Sequence, residues 1–350
     1  MLQSGFFEVE DRLESLSREG DPLVALKAHV DFERFRPRLK KLLKFKRGGR
    51  PPLDSVLMLK VLILQTLYNL SDDQIEYQIR DRLSFQRFLG LTLSDRVPDA
   101  KTVWLYRERL KGQIESLFKD FEDQLRSQGY LAMSGQIVDA SVVKTPRQRL
   151  SAEEKAAVKS GKSAQEIWPD APAKASQKDT HARWRVKTSR PKKADQTPLA
   201  VPEFGYKNHI CTDHRFGFVR QFNVSDAAHY DGHLLASLLD PDNTSSAIWG
   251  DTAYGSQENR DLLEHKGLTC QIHRKASKGK KLPLTTLRAN GKRSKVRAKV
   301  EHVFALQKHR MGLFIRTIGL ERARVKIGLA NLVYNMKRLV FHETQAALTG

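Results

Sequence analysis

The sequence predicts an α/β protein: an all-helical N-terminal domain followed by a five-stranded mixed sheet flanked by helices. Three observations predict it. Residues 53–126 read as helix almost without a break, the periodicity changes after Gly129 to short β-branched runs, and those runs then alternate with helical segments. The boundaries that follow are a helical domain over 1–128 and a sheet domain over 129–345 carrying a long insertion at about 146–202. Hydrophobic residues make up 40% of the 350, enough for a real core.

In the first half, Asp54 is placed to cap a helix running to Tyr68, and Ser71 with Gln74 has capping-box spacing for the next. Gly90 closes a third segment, SFQRFLG, and Pro98 with Asp99 opens a fourth, AKTVWLYRERLKG. Short helices joined by short turns suit helix-turn-helix DNA binding, with Arg107, Arg109 and Lys111 available for phosphates. Small helical bundles read the same way, so both readings stand at this point. The longest apolar stretch, Val56–Leu67, contains Lys60 and Gln65 and is shorter than the roughly 20 residues of a membrane span, which predicts a buried helix.

In the second half, GQIVDASVV (135–143) is the first strand, and YKNHICTD and FGFVRQFNV form a hairpin through the His214–Gly217 turn. Asp231 caps the helix GHLLASLL, SAIWGD (246–251) is the fourth strand, Gln257–Lys266 a helix closed by Gly267, and LTCQIHR the fifth strand. The next helix is RAKVEHVFALQKHRMG, and a last amphipathic one is predicted over 323–340, with Val325, Leu329, Leu332, Met336 and Leu339 spaced to cover one sheet face. Three strands, helix, strand, helix, strand, helix is the order of the ribonuclease H-like fold. The insertion, poor in apolar residues, reads as flexible or ordered by a ligand, with AEEKAAVKSG a short helix inside it.

The 61 Lys and Arg against 40 Asp and Glu give a formal charge of +21 and a pI near 10.0. That excess favours a polyanionic partner, with nucleic acid ahead of an anionic membrane surface. A run from Arg274 to Lys299 holds 11 Lys or Arg and no acid, and its Gly and Pro suggest an extended loop. Lys278, Lys280, Lys281, Arg293, Lys295 and Lys299 are its candidates for phosphate contact. Two isolated cysteines make no disulfide framework, which suits a reducing cytosol, and the acidic N-terminus lacks the lysines of a signal peptide.

Three acids stand out. Asp139 interrupts an apolar strand, Asp251 ends another, and Glu301 is the one carboxylate in a basic helical segment, flanked on the same wheel face by Arg297 and Lys308. Each has a plain structural explanation: a buried acid, a turn cap and a helix-face ion pair. In the predicted strand order the first and fourth strands are adjacent and the helix of Glu301 crosses them, so the three could converge. Convergent carboxylates suit Mg²⁺ or Mn²⁺, and two such ions about 3.5–4 Å apart promote phosphodiester displacement. His209, His229, His233 and His302 lack the spacing of a zinc site. Trp184, in the basic HARWRVK, is the aromatic best placed by sequence to touch a base, whereas Trp249 and Tyr254 read as core.

With IVDASVV, GYKNHICTD, VSDAAHYDG, GDTAYGS and RAKVEHVFALQKHRMG in this order, the chain resembles the DDE transposases of bacterial insertion sequences, in particular the group named after insertion sequence five. The resemblance covers about residues 50–342, and Arg297, Glu301 and Lys308 match the family's Arg-x3-Glu-x6-Lys signature. It implies that Asp139, Asp251 and Glu301 bind Mg²⁺, and that the reaction is hydrolysis at the element's ends followed by attack of the freed 3′-OH on target DNA. It further implies DNA binding by the helical half, a homo-oligomer on DNA, and a cytoplasmic, nucleoid-associated protein. Ser294 stands where related transposases carry a tyrosine, which leaves that tyrosine's role unfilled here. A catalytically idle DNA-binding descendant and a ribonuclease H-like nuclease are the rival readings.

Overall fold

The structure, a computed structural model, describes residues 8–42, 51–188, 199–276 and 279–349. The chain divides into two compact units, residues 1–129 with 329–350, and residues 130–328.

The helical unit is built around Ser55–Leu67, whose N-terminus is capped by the Asp54 carboxylate accepting from Val56 and Leu57 amides, both at 2.9 Å. Met58, Leu59, Val61, Leu62, Ile63 and Leu64 are all buried, so this helix is apolar around most of its circumference and forms the centre of its unit. Ser71 and Gln74 form the predicted capping box at the start of Asp72–Asp81, and Gly90 ends Leu83–Leu89 at φ 77°, a conformation glycine adopts without Cβ strain. The helix Ala100–Arg109 starts at the Asp99 cap, as its sequence predicts. Arg107, however, is only 5% exposed and makes two bonds to the Asp72 carboxylate, at 2.6 and 2.7 Å. It ties two helices together and cannot reach a phosphate, a correction to the sequence reading.

The second unit holds a mixed sheet of six strands: β1 Gln136–Lys144, β2 Arg183–Thr188, β3 Ala200–Asp213, β4 Val219–Asp226, β5 Ala247–Trp249 and β6 Thr269–Cys270. The order β2-β3-β1-β5-β6, with β4 also on β3, makes β1 antiparallel to β3 and parallel to β5. This is the ribonuclease H-like arrangement, with one strand more than the five predicted. The sixth, β2, comes from the insertion, which also contains the predicted short helix, Ala152–Lys159, capped by Ser151 and Glu154. Strand alternation gives the sheet two apolar faces. Val138, Cys211, Ile248, Leu235, Leu238 and Leu263 pack on one, and Val143, Tyr206, Phe204, Ile315, Ala323 and Ile327 on the other. The C-terminal helix, Leu320–Thr349, is therefore shared. Its first turns cover the sheet, while Leu329 onward belongs to the helical unit and not to the sheet domain as the sequence grouped it.

The β3–β4 hairpin is set by Asp213. Its carboxylate accepts from the amides of Phe216 and Phe218, at 2.6 and 3.1 Å, and from Arg220 Nε at 2.9 Å. The buried Asp213 carboxylate and the buried Arg220 guanidinium are thereby paired at the hairpin's turn.

Candidate active site

Asp139 sits in the middle of β1 opposite Ile210 of β3. Its Oδ1 accepts from the Ala140 amide at 2.8 Å, and Arg297 Nε stands 3.9 Å from Oδ2. Burial raises its carboxyl to about 7. Arg297 and the Ala140 amide oppose that rise, and the charges of Asp251 and Glu301 add to it. Asp251 and Glu301 are thus both near enough to Asp139 for their charges to act on it.

Asp251 follows β5, the parallel neighbour of β1, with Trp249 paired to Ile137. Its Oδ1 accepts from the Ala253 amide at 2.8 Å and caps the short turn Thr252–Tyr254. The turn-cap reading from sequence holds, yet it engages one oxygen and leaves the second available.

Glu301 is exposed at the start of Glu301–Ala305. What holds this segment over the sheet was not legible in the sequence. Gln307 Oε1 accepts from Asn208 Nδ2 at 3.1 Å, both side chains being essentially fully buried. Asn208 and Ile210 share a face of β3, and their partners on β1 are Ser141 and Asp139. One hydrogen bond therefore docks the Glu301 segment on the face from which Asp139 projects. The segment is not one continuous α-helix. A tighter turn, Ala298–Val300, precedes it, and a wider π-type turn, Leu306–Arg310, follows. The ideal wheel that aligned Lys308 with Glu301 does not apply, because the π turn adds a residue to the repeat. Lys308 instead lies among Glu203, Lys187, Lys144 and Glu301, and partial burial pulls its ammonium below the usual lysine range.

The basic run departs from the loop predicted for it. Leu284–Arg297 is a helix with no buried residue, opening after Pro283 and ending in Lys295 and Arg297. Its Leu, Ala, Lys and Arg favour helix strongly enough to carry Gly291 and Asn290, and cations in the last turn complement the helix dipole. Lys280, Lys281 and Lys295 are exposed, and Lys278 lies outside the described residues. Arg293 is committed to Gln271 Oε1 and the Ile272 carbonyl, both at 3.2 Å. Lys299 Nζ contacts the ring Nε2 and the carbonyl of His214, at 3.1 and 3.2 Å. In the helical unit Arg109 is exposed beside the Tyr106 ring. Trp184 is 43% exposed, but its ring already meets the Phe204 ring, with centroids 5.2 Å apart, and the Arg147 guanidinium, 5.7 Å from its own centroid. Ser294 bonds to His273 at 3.3 Å, and His273 in turn feels Arg297 and Asp251, so this histidine belongs to the surroundings of the acids.

Among the described residues no three acidic, histidine or cysteine side chains are drawn together closely enough to enclose a metal ion. The donor set nevertheless fits a hard divalent cation. Asp139 and Asp251 each keep an oxygen clear of the backbone, Glu301 is exposed at its helix start, and a carboxyl raised to about 7, by burial first and by the charges of Asp251 and Glu301 in smaller part, is one whose ionised form a cation would favour.

A ribonuclease H-like sheet with one acid on β1, a second just past its parallel neighbour β5 and a third on the segment docked over β3 suits a nuclease or polynucleotidyl transferase. Residues 130–336 match the family described as Transposase DDE domain, and residues 11–109 match one described as Transposase domain (DUF772). The chain belongs to the DDE transposase family, and it is a DNA transposase. Members of this family cleave DNA and transfer strands, generally with divalent metal ions. A solved structure of the piggyBac transposase synaptic complex with hairpin DNA is similar over 93% of this chain and 76% of that chain. At 11% identity and a TM-score of 0.42, the likeness is too distant to bear on function. Among the described residues no helix is long and apolar enough to cross a membrane.

Proposed function

We propose that the chain is the transposase of a bacterial insertion sequence of the insertion-sequence-five group, cutting at the element's ends and joining them to target DNA. The observation that supports the site assignment is placement: Asp139 is on β1, Asp251 directly follows the parallel neighbour β5, and the Asn208–Gln307 bond docks the Glu301 segment on the face from which Asp139 projects. Asp139, Asp251 and Glu301 would hold two Mg²⁺ or Mn²⁺ ions, which supply a polarised attacking oxygen and stabilise the leaving one. Arg297, beside Asp139, sets that carboxylate's position and offers its remaining donors to a phosphate. Lys308, partly desolvated among Lys144 and Lys187, contributes charge to the strand entering the site. In the sheet unit exposed Lys280, Lys281 and Lys295 add sequence-independent phosphate contacts, and Arg293 and Lys299 shape that unit's surface through their bonds to the fold; in the helical unit exposed Arg109 adds another. Two element ends need two such sites, so the DNA-bound form is a homo-oligomer associated with the nucleoid.

Supercoiled plasmid carrying the DNA that flanks the gene tests this. Purified protein with Mg²⁺ or Mn²⁺ is expected to nick or cut at the element's ends, and EDTA is expected to abolish it. Equal cutting in EDTA, or none at the ends with either metal, would contradict the assignment.

A further inference from the structure

VSDAAHYDG, the sequence after β4, supplies no member of the acid triad, yet its end is built into the turn that carries Asp251. Lys207 of β3, 3% exposed, donates to Asp231 Oδ1 at 2.7 Å and to the His229 carbonyl at 2.5 Å, which fixes the segment to the sheet. From there the segment grips residues 253 and 254. The Tyr230 hydroxyl donates to the Ala253 carbonyl at 2.6 Å. Asn259 Nδ2, on the helix Gln257–His265, donates to the carbonyls of Gly232 and Tyr254, at 2.9 and 3.1 Å. A β-carbon at Gly232 would come within 2.5 Å of the Ala253 carbonyl oxygen, so the two backbones touch. The same Ala253 residue donates its amide to Asp251 Oδ1 at 2.8 Å.

We infer that Tyr230, Gly232 and Asn259 form a clamp whose task is to position the Asp251 carboxylate for its metal, with the buried Lys207–Asp231 pair as its anchor. The Ala253 residue is the link, because its carbonyl oxygen is held by the clamp while its amide nitrogen, one peptide unit earlier, holds Asp251. These are positioning residues, and the inference rests on Asp251 being a metal ligand. Partners that orient a ligand from behind are worth 10–100-fold in metal affinity or activity.

Tyr230→Phe is the primary test, since it removes one hydroxyl from a side chain that is 48% exposed and leaves its packing. Mn²⁺ binding to the protein on element-end DNA is read from the electron paramagnetic resonance signal of free Mn²⁺. Affinity is expected to fall about tenfold. The Mg²⁺ concentration for half-maximal cleavage is expected to rise by a similar factor, with DNA affinity and melting temperature unchanged. Gly232→Ala, which must displace Ala253, is expected to do more. Asp251→Asn is measured alongside. If it loses metal and cleavage while Tyr230→Phe matches the parent in Mn²⁺ affinity and Mg²⁺ midpoint, the clamp is overturned and the metal site stands. If Asp251→Asn itself keeps both, the site assignment fails and the clamp with it.

Discussion

Glu301→Gln is expected to cut strand cleavage and strand transfer by at least about a thousandfold, roughly 4 kcal/mol of barrier at 1.36 kcal/mol per factor of ten. Gln has nearly the shape of Glu and the position is exposed at a helix start, so the fold should be unaffected. A neutral amide is a far poorer ligand for Mg²⁺ than a carboxylate, and the several kcal/mol a metal contributes are felt in the transition state. Affinity for end DNA should stay the same or rise, because a negative charge near the phosphates has gone. Arg297→Ala and Lys308→Ala should differ by losing affinity along with rate. Gel-shift titration beside the cleavage assay separates the two patterns. A Glu301→Gln protein that cleaves as fast as the parent would reduce Glu301 to a surface ion pair.

Arg220→Met is expected to destabilise the sheet unit by about 3–5 kcal/mol. Arg220 and Asp213 are both essentially inaccessible, and the pair sits at the hairpin where Asp213 also receives backbone amides. Removing the cation leaves a buried carboxylate with only part of its compensation, which costs far more than losing an exposed pair. Urea unfolding followed by Trp fluorescence measures it, with Trp168, Trp184 and Trp249 in the sheet unit and Trp104 in the helical one. A shift below about 1 kcal/mol would mean the site rehydrates when Arg220 is lost.

Local signals made much of this protein legible. Asp54, Ser71 with Gln74, and Asp99 announced helix starts because capping chemistry is confined to a few neighbouring residues. Asp139 and Glu301 announced themselves by breaking an apolar strand and a basic helix. What stayed hidden depends on partners far apart in the chain. Arg107 looks like a phosphate contact until Asp72 is placed beside it. Asn208 and Gln307 are separated by 99 residues, and nothing in either neighbourhood marks the bond that docks Glu301. β2 leaves little trace in the sequence because Arg183, Arg185 and Lys187 alternate with Trp184 and Val186 inside a basic insertion whose composition resembles disorder. The Gly and Pro of the run 274–299 suggest a loop, although its remaining residues favour helix and its proline sits where a helix can begin. The π turn at Leu306–Arg310 left no periodic trace at all.

Anomalous scattering from Mn²⁺ in crystals of the protein bound to element-end DNA tests the central claim most directly, because it locates the metal independently of activity. Two peaks roughly 3.5–4 Å apart are predicted, bounded by carboxylate oxygens of Asp139, Asp251 and Glu301. Mn²⁺ bound away from these three side chains, with a scissile phosphate correctly seated, would contradict the account.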